Sequence, residues 1–152
     1  MGMKASRLRI WEKDVYPTRD FVSSSIENEE FYILTEGTEI LAAEVLNHNL
    51  DGYDDMKWIV EAGKDQVLVL HAVAVSPEHL GQGYGKQMVR FAIEMAKKTG
   101  MKTLRLDVFP GNTPAERAYL SEGFRYVDTK SMCYGNAGVR SYSLYECPVA
   151  SL

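Results

Sequence analysis

The sequence has few cysteines, no excess of positive charge and no long apolar segment. Cys133 and Cys147 are the only cysteines among its 152 residues. Neither lies in a CxxC pair or beside a histidine, so we expect two reduced thiols and neither a disulfide framework nor a metal site. The formal net charge is −4, which provides no basic field for nucleic acid. A nucleic-acid partner is therefore not expected.

The apolar runs are also short. The longest cover residues 67–70 and 72–75, whereas a membrane-spanning helix needs roughly 20 such residues. The first residues carry no apolar stretch of the kind that a secretory signal requires. These absences predict a cytoplasmic protein with no membrane partner.

What is present is enough for one hydrophobic core. Hydrophobic residues make up 45% of the chain, and neither an internal repeat nor a linker of Pro, Ser or Gly divides it. We expect a single domain over residues 1–152.

Hydrophobic periodicity predicts an α/β (α+β) fold with a mixed, largely antiparallel sheet flanked by helices. A capping box of Thr113 and Glu116 marks the start of the last helix. Residues 4–16 show no alternating pattern, so a first strand is absent or irregular, and residues 48–64 are expected to form a loop. The predicted elements are a helix over 18–28, strands over 31–34 and 39–46, a buried strand over 66–75, a helix over 83–99, a strand over 104–108, a short helix ended by Gly123, and strands over 124–133 and 139–147.

A glycine-rich segment, Leu80–Lys86, joins the buried strand to a helix. Unpaired backbone N–H groups at a helix N-terminus attract phosphate, and glycine lets the backbone approach the anion. A tight turn without a ligand is the simpler alternative. A dinucleotide-binding fingerprint would need glycine in place of Lys86, and a P-loop would need Ser or Thr in place of Gln87.

This segment, together with Val73–Glu78 before it, resembles the acetyl-CoA motif Q/R-x-x-G-x-G/A of the GNAT superfamily of N-acetyltransferases. Gly83 and Gly85 match the motif, whereas Leu80 replaces its first residue and removes one phosphate contact. The resemblance implies that acetyl-CoA is the cosubstrate, with Val73 and Val75 pairing their backbone with its pantetheine arm. It implies cofactor contacts at Val73, Val75, Leu80, Gly81, Gln82, Gly83, Tyr84, Gly85 and Lys86.

A second GNAT-like motif begins at Asn112 and continues through Ala115 and Tyr119 to Gly123-Phe124. Taken alone, Tyr119 is a core residue of an amphipathic helix. Beside the first motif, the resemblance implies that Asn112, Ala115 and Tyr119 lie near the cofactor. A phenol can then protonate the leaving thiolate as a general acid.

His71 interrupts the apolar strand and is the candidate general base. The simpler alternative is a hydrogen-bonded core histidine. The sequence from Leu70 to Val75 is similar to the strand of arylalkylamine N-acetyltransferases that carries a catalytic histidine, although Val69 replaces a second histidine of that group. His48 and His79 are expected in loops, exposed to solvent.

The expected function is acetyl transfer to the amine of a small molecule or peptide. Asp51, Asp54, Asp55 and Glu61 lie close to Tyr53 and Trp58, a composition that suits a cationic amine or, equally, a solvated acidic loop. A non-catalytic acetyl-CoA sensor and a partner-binding domain are the alternatives. Because dimers are common in the GNAT superfamily, the resemblance also leaves a homodimer open.

Overall fold

The structure is a computed structural model that describes residues 18–133 and 138–152. The expectation for residues 4–16 lies outside this part of the chain. Short 3-10 turns occupy Lys64–Gln66, Pro77–His79 and Val149–Ser151. The helices and strands are α1 (Arg19–Glu27), β1 (Phe31–Glu36), β2 (Glu39–Asn47), β3 (Val67–Val75), α2 (Tyr84–Lys98), β4 (Thr103–Val108), α3 (Thr113–Ser121), β5 (Arg125–Cys133) and β6 (Val139–Pro148).

The six strands form one mixed sheet in the order β1-β2-β3-β4-β6-β5. Strands β3 and β4 run parallel, joined by α2, and the other described neighbours are antiparallel. A parallel pair needs a crossover connection of this kind because a tight turn cannot join its ends. The predicted fold class is confirmed, and no helix in the described ranges is long and apolar enough to cross a membrane.

The two faces of the sheet are covered differently. Helices α2 and α3 bury one face in a cluster that includes Leu70, Val89 and Phe124. On the other face, the loop that follows β2 packs Tyr53 against Val67 and neighbouring apolar side chains. The loop is irregular, as predicted, and covers the core on this face of the sheet.

The aromatic residues of this loop are structural, which removes them from the expected amine site. Tyr53 is 2% exposed, and its hydroxyl donates to Asp107 Oδ2 (2.7 Å). Trp58 faces the guanidinium of Arg105, whose Cζ lies 4.5 Å from the ring centroid. Its cation partner is therefore within the chain, because the loop folds over the start of β4.

The start of α3 corrects a second expectation. The N-cap is Asn112, not Thr113, and its side chain accepts from the N–H of Ala115 at 3.4 Å. Glu116 is not part of a capping box, since its carboxylate receives the hydroxyl of Tyr145 (2.6 Å). The cap is one residue earlier because Asn112 is itself a strong N-cap former.

The two cysteines are free thiols in strands, as predicted. Cys133 is exposed at the end of β5, and Cys147 is buried in β6. Burial raises the pKa of the Cys147 thiol to about 11. Cys147 therefore acts as a small core residue, because the reactive thiolate is not formed at neutral pH.

Candidate active site

Strand β3 loses one of its two neighbours, β4, half-way along its length. Its first half pairs with β4, from Val67 opposite Thr103 to Leu70 opposite Leu106. Its second half pairs with β2 but with no described residue of β4. Two parallel strands thus separate after Leu70 and leave a cleft between them.

A bulge accompanies this separation. Ala72 has a φ of 54°, a left-handed value that is uncommon for a residue other than glycine. The register between β2 and β3 shifts at the same place, because the two-residue advance from Ala43 to Val45 is matched by three residues, from Ala74 to His71, on β3. A bulge redirects the side chains on either side of it, so His71 and Val73 face different surroundings.

A cavity of about 210 Å³ opens where the strands separate. It lies among the second half of β3, the glycine loop and α3, and it brings together both sequence motifs. The lining residues that the sequence predicted are Val73, Val75, Leu80, Gly81, Gly83, Tyr84, Gly85, Asn112, Ala115 and Tyr119. Gln82 and Lys86 are exposed and outside this lining set.

The glycine loop adopts the conformation that its glycines allow. Gly81 and Gly83 have φ values of 80° and 82°, where a side chain would be strained. Helix α2 starts immediately afterwards at Tyr84, so the N–H groups of its first turn have no acceptor within the helix. These N–H groups and the positive end of the helix dipole suit a phosphate group.

Tyr119 both packs in the core and lines the cavity. Its ring lies 5.8 Å from that of Phe124 and 6.4 Å from that of Tyr145, centroid to centroid. Burial, and then the carboxyl groups of Glu44 and Asp107, raise the pKa of its hydroxyl well above the usual range. The phenol is therefore protonated at any physiological pH, as a proton donor must be before it acts.

Glu44 is the residue that sequence reasoning missed. It lies on β2 with no exposed surface, and neither carboxyl oxygen has a hydrogen-bond partner among the described residues. Burial raises its pKa to about 9. The sequence feature that could have indicated Glu44 is a single acid in the otherwise apolar run from Ile40 to Leu46. Its effect on the pKa of Tyr119 depends on the tertiary structure, which hydrophobic periodicity does not predict.

His71 lies on the other side of the bulge, in a second cavity of about 470 Å³. Burial lowers its pKa to about 4, so the ring is neutral at physiological pH. Its Nε2 lies 2.9 Å from Oδ1 of Asn47, and the ring of Phe21 approaches it edge-on, 6.2 Å between centroids. The cavity is also lined by Thr18, Asn49, Asp51, Gly52, Lys130, Ser131, Met132 and Cys133.

The prediction that His48 and His79 are exposed in loops is confirmed for one of them and wrong for the other. His48 is exposed in a loop, as expected, and its Nδ1–H donates to the carbonyl of Val67 (2.7 Å). The expectation for His79 is wrong. Its side chain is only 19% exposed because Glu39 approaches Nε2 at 2.9 Å and Tyr84 packs against the ring, and it lines the first cavity.

Comparison with known proteins agrees with this architecture. The acetyltransferase (GNAT) family profile matches residues 4–124. Streptothricin acetyltransferase of Streptomyces lavendulae is 34% identical over 88 residues, which cover 55% of this chain and 47% of that protein. The matched region is thus less than half of that relative's length.

Solved structures share the fold. A GNAT family acetyltransferase from Elizabethkingia anophelis with acetyl-CoA bound superposes with a TM-score of 0.64 at 17% identity, covering 88% of this chain and 85% of that one. The ribosomal-protein-S18-alanine N-acetyltransferase from Escherichia coli gives a TM-score of 0.64 at 22% identity, covering 88% and 79%.

Proposed function

Since this chain belongs to the acetyltransferase (GNAT) family, we propose that it transfers the acetyl group of acetyl-CoA to a primary amine. The observation that carries the proposal is the meeting of both motifs at one cavity. Val73, Gly83 and Tyr119 come from three separate elements, and all of them line the cavity at the point where β3 leaves β4.

The cavity has the features that the cofactor requires. The first turn of α2 offers N–H groups and a positive dipole end to the pyrophosphate. Val73 and Val75 belong to the half of β3 that has no described β4 partner, which leaves one strand edge available for the amide groups of the pantetheine arm. Gln82 and Lys86, at the mouth of the loop, would contribute from its solvent side.

The second cavity supports a separate entrance for the amine. His71 lines it, while Val73, Ala74 and Val75 of the same strand line the first cavity. A reaction in which amine and thioester meet directly needs two such sites that share one wall. The bulge at Ala72 lies between the residues of β3 that line the two cavities.

His71 and Tyr119, which line the second and the first cavity, can perform both proton transfers. Acetyl-CoA supplies an acetyl thioester, whose carbonyl carbon forms a bond with the amine nitrogen while the C–S bond breaks. His71 is neutral and accepts the proton that the nitrogen loses as it becomes cationic. Tyr119 is protonated and donates its proton to the departing thiolate. The proton that His71 gained passes to solvent, and Tyr119 regains one from solvent.

Calorimetric titration of acetyl-CoA and release of free thiol test the proposal. The acceptor panel contains arylalkylamines, polyamines, amino acids, a streptothricin-type antibiotic and a peptide with an N-terminal alanine, the last two because of the relatives' names. We expect binding and turnover with at least one amine. Binding without turnover would support an acetyl-CoA sensor, and absence of binding would contradict the proposal.

A further inference from the structure

Asn47, at the end of β2, connects His71 to the acidic side chain of Glu30. Its Oδ1 lies 2.9 Å from Nε2 of His71. Its Nδ2 donates to Oε1 of Glu30 at 3.5 Å, and its Oδ1 also accepts from the backbone N–H of Asn49 at 3.0 Å. One amide therefore makes three polar contacts, two of them with residues that line the second cavity, His71 and Asn49.

Two of these contacts fix which end of the amide faces the histidine. The N–H of Asn49 can only donate, so the atom that it contacts must be the amide oxygen. The Glu30 carboxylate can only accept when ionised, so the atom that it contacts must be the amide nitrogen. A rotated amide would lose both hydrogen bonds, and so the oxygen is directed at His71.

The oxygen then determines the position of the proton on the imidazole ring. An amide oxygen accepts hydrogen bonds and cannot donate one, so Nε2 of His71 must carry the hydrogen. In a neutral ring the other nitrogen, Nδ1, then holds the lone pair. Nδ1 has no hydrogen-bond partner in the described part of the chain, and it is not among the fully buried atoms that lack one. Nδ1 is therefore not fully enclosed, and His71 lines the second cavity.

We propose that Asn47 is a positioning residue that holds His71 in the Nε2–H tautomer, so that Nδ1 is the atom that accepts the proton of the amine. This inference rests on the proposed function only in its second half. The tautomer is a property of the protein alone and can be measured without any substrate. The Nδ1–H tautomer would present a donor to the attacking nitrogen and leave no lone pair there.

The charged groups around the ring do not oppose this arrangement. Glu30 acts on it through Asn47, and Asp51 and Lys130 line the same cavity. Lys130 donates to the carbonyl of Gly52 (2.7 Å) and lies 3.8 Å from Asp55, which partly satisfies its charge. The ring of Phe21 lies at 69° to the imidazole ring.

Proton-nitrogen NMR of protein labelled with 15N-histidine tests the tautomer. The chain has 3 histidines, so the His71→Gln variant assigns the signal of His71 by its loss. We expect the coupling pattern of the Nε2–H form in the wild type. In Asn47→Leu the oxygen is absent, and we expect a mixture of tautomers. A wild-type Nδ1–H pattern, or an unchanged pattern in Asn47→Leu, would overturn the inference.

Kinetics with three variants separates positioning from folding. Asn47→Leu should lower kcat in proportion to the fraction of His71 that leaves the Nε2–H form, by about twofold for an equal mixture, with little change in KM for acetyl-CoA. Asn47→Asp keeps an acceptor for Nε2–H and should restore most of kcat. Asn28→Leu, an exposed residue after α1, is the control.

If Asn47→Leu and Asn47→Asp lose kcat equally while circular dichroism shows both folded, Asn47 is not positioning the base. If no amine is acetylated by the wild type, the proposed function fails, but the NMR pattern still decides the tautomer.

Discussion

The two ends of the central strands hold the same kind of buried acid in opposite ways. Glu146 lies at the end where β3 and β4 are paired, and Glu44 lies at the end where they separate. Both have no exposed surface. Glu146 accepts hydrogen bonds from the N–H groups of Ile59 and Val60, the hydroxyl of Thr103 and Nε of Arg105 (2.6–3.2 Å), whereas Glu44 accepts none within the described ranges.

The difference separates a structural acid from an acid near the proposed reaction site. At the paired end, each charge and donor is compensated, so the network ties the loop, β4 and β6 together. At the open end, a carboxyl group is kept where it destabilises the fold, because a buried polar group without a partner costs free energy. We infer that the paired end keeps the fold rigid. The open end contains residues that lower the stability of the fold and serve binding and chemistry.

Removing the acid at the paired end should have the largest effect. Glu146→Ala removes the acceptor of Nε of the buried Arg105, whose Nη2 still donates to the Val60 carbonyl, and of two backbone N–H groups. We expect a loss of about 3–5 kcal/mol in the free energy of unfolding. Urea denaturation measures it. The matched control is Glu122→Ala, which breaks the surface pair with Arg90 and should cost less than about 1 kcal/mol. Equal losses in the two variants would contradict the structural role of Glu146.

At the open end, Tyr119→Phe should slow the chemical step and leave the free energy of unfolding nearly unchanged. Only the hydroxyl is removed, so the ring contacts with Phe124 and Tyr145 remain. We expect kcat to fall by roughly 100-fold, the usual size of a general-acid contribution, with the acetyl-CoA dissociation constant nearly unchanged. Steady-state kinetics and calorimetry check both values. Unchanged kcat would remove Tyr119 from the mechanism.

Glu44→Gln should change how stability depends on pH. The pKa of Glu44 is raised to about 9 in the folded protein, and an unfolded glutamic acid titrates near its ordinary value. Between these values the folded state binds more protons than the unfolded state, so stability falls as pH rises. Without this group, we expect the loss between about pH 6.5 and 8.5 to shrink by about 2 kcal/mol.

In this pH range the change in stability reports the titration of Glu44 and not that of His71. The pKa of His71 is lowered to about 4, so its contribution to stability is fully present above about pH 6.5 and is lost as pH falls through the folded value. Thermal and urea unfolding at the two pH values measure the change, with Glu36→Gln on the exposed side of β1 as the control. Parallel pH curves for wild type and Glu44→Gln would show that Glu44 is ionised in the fold.

The sequence predicted the elements and most of the first cavity because both depend on local patterns. Glycines at a strand-to-helix junction and the spacing from Asn112 to Tyr119 are readable along the chain. Three features could not be predicted from the sequence. They are the hydrogen-bond partner of His71, the partial burial of His79 and the lack of a hydrogen-bond partner for Glu44 among the described residues. Each depends on a residue at least 24 positions away or on a neighbouring strand, and an irregular register, such as the bulge at Ala72, has no periodic signature.

Gly85→Ala should have the smallest effect on stability and should raise it. Gly85 is in the first turn of α2, and an added Cβ would lie 3.7 Å from Cγ2 of Val75, an ordinary contact. Alanine in a helix is more stable than glycine by about 0.5–1 kcal/mol. The new methyl group would project into the cavity wall, however, so acetyl-CoA should bind at least several-fold more weakly by calorimetry.

Gly83→Ala distinguishes this effect from backbone strain. An added Cβ at Gly83 has no atom within 4 Å, but its φ of 82° disfavours any side chain, and we expect a loss of about 1 kcal/mol. If Gly85→Ala both stabilises the protein and weakens the cofactor, glycine is retained there for binding at the expense of the helix. If it stabilises the protein with unchanged affinity, the open end does not trade stability for binding at this position, because the loop then tolerates the methyl group.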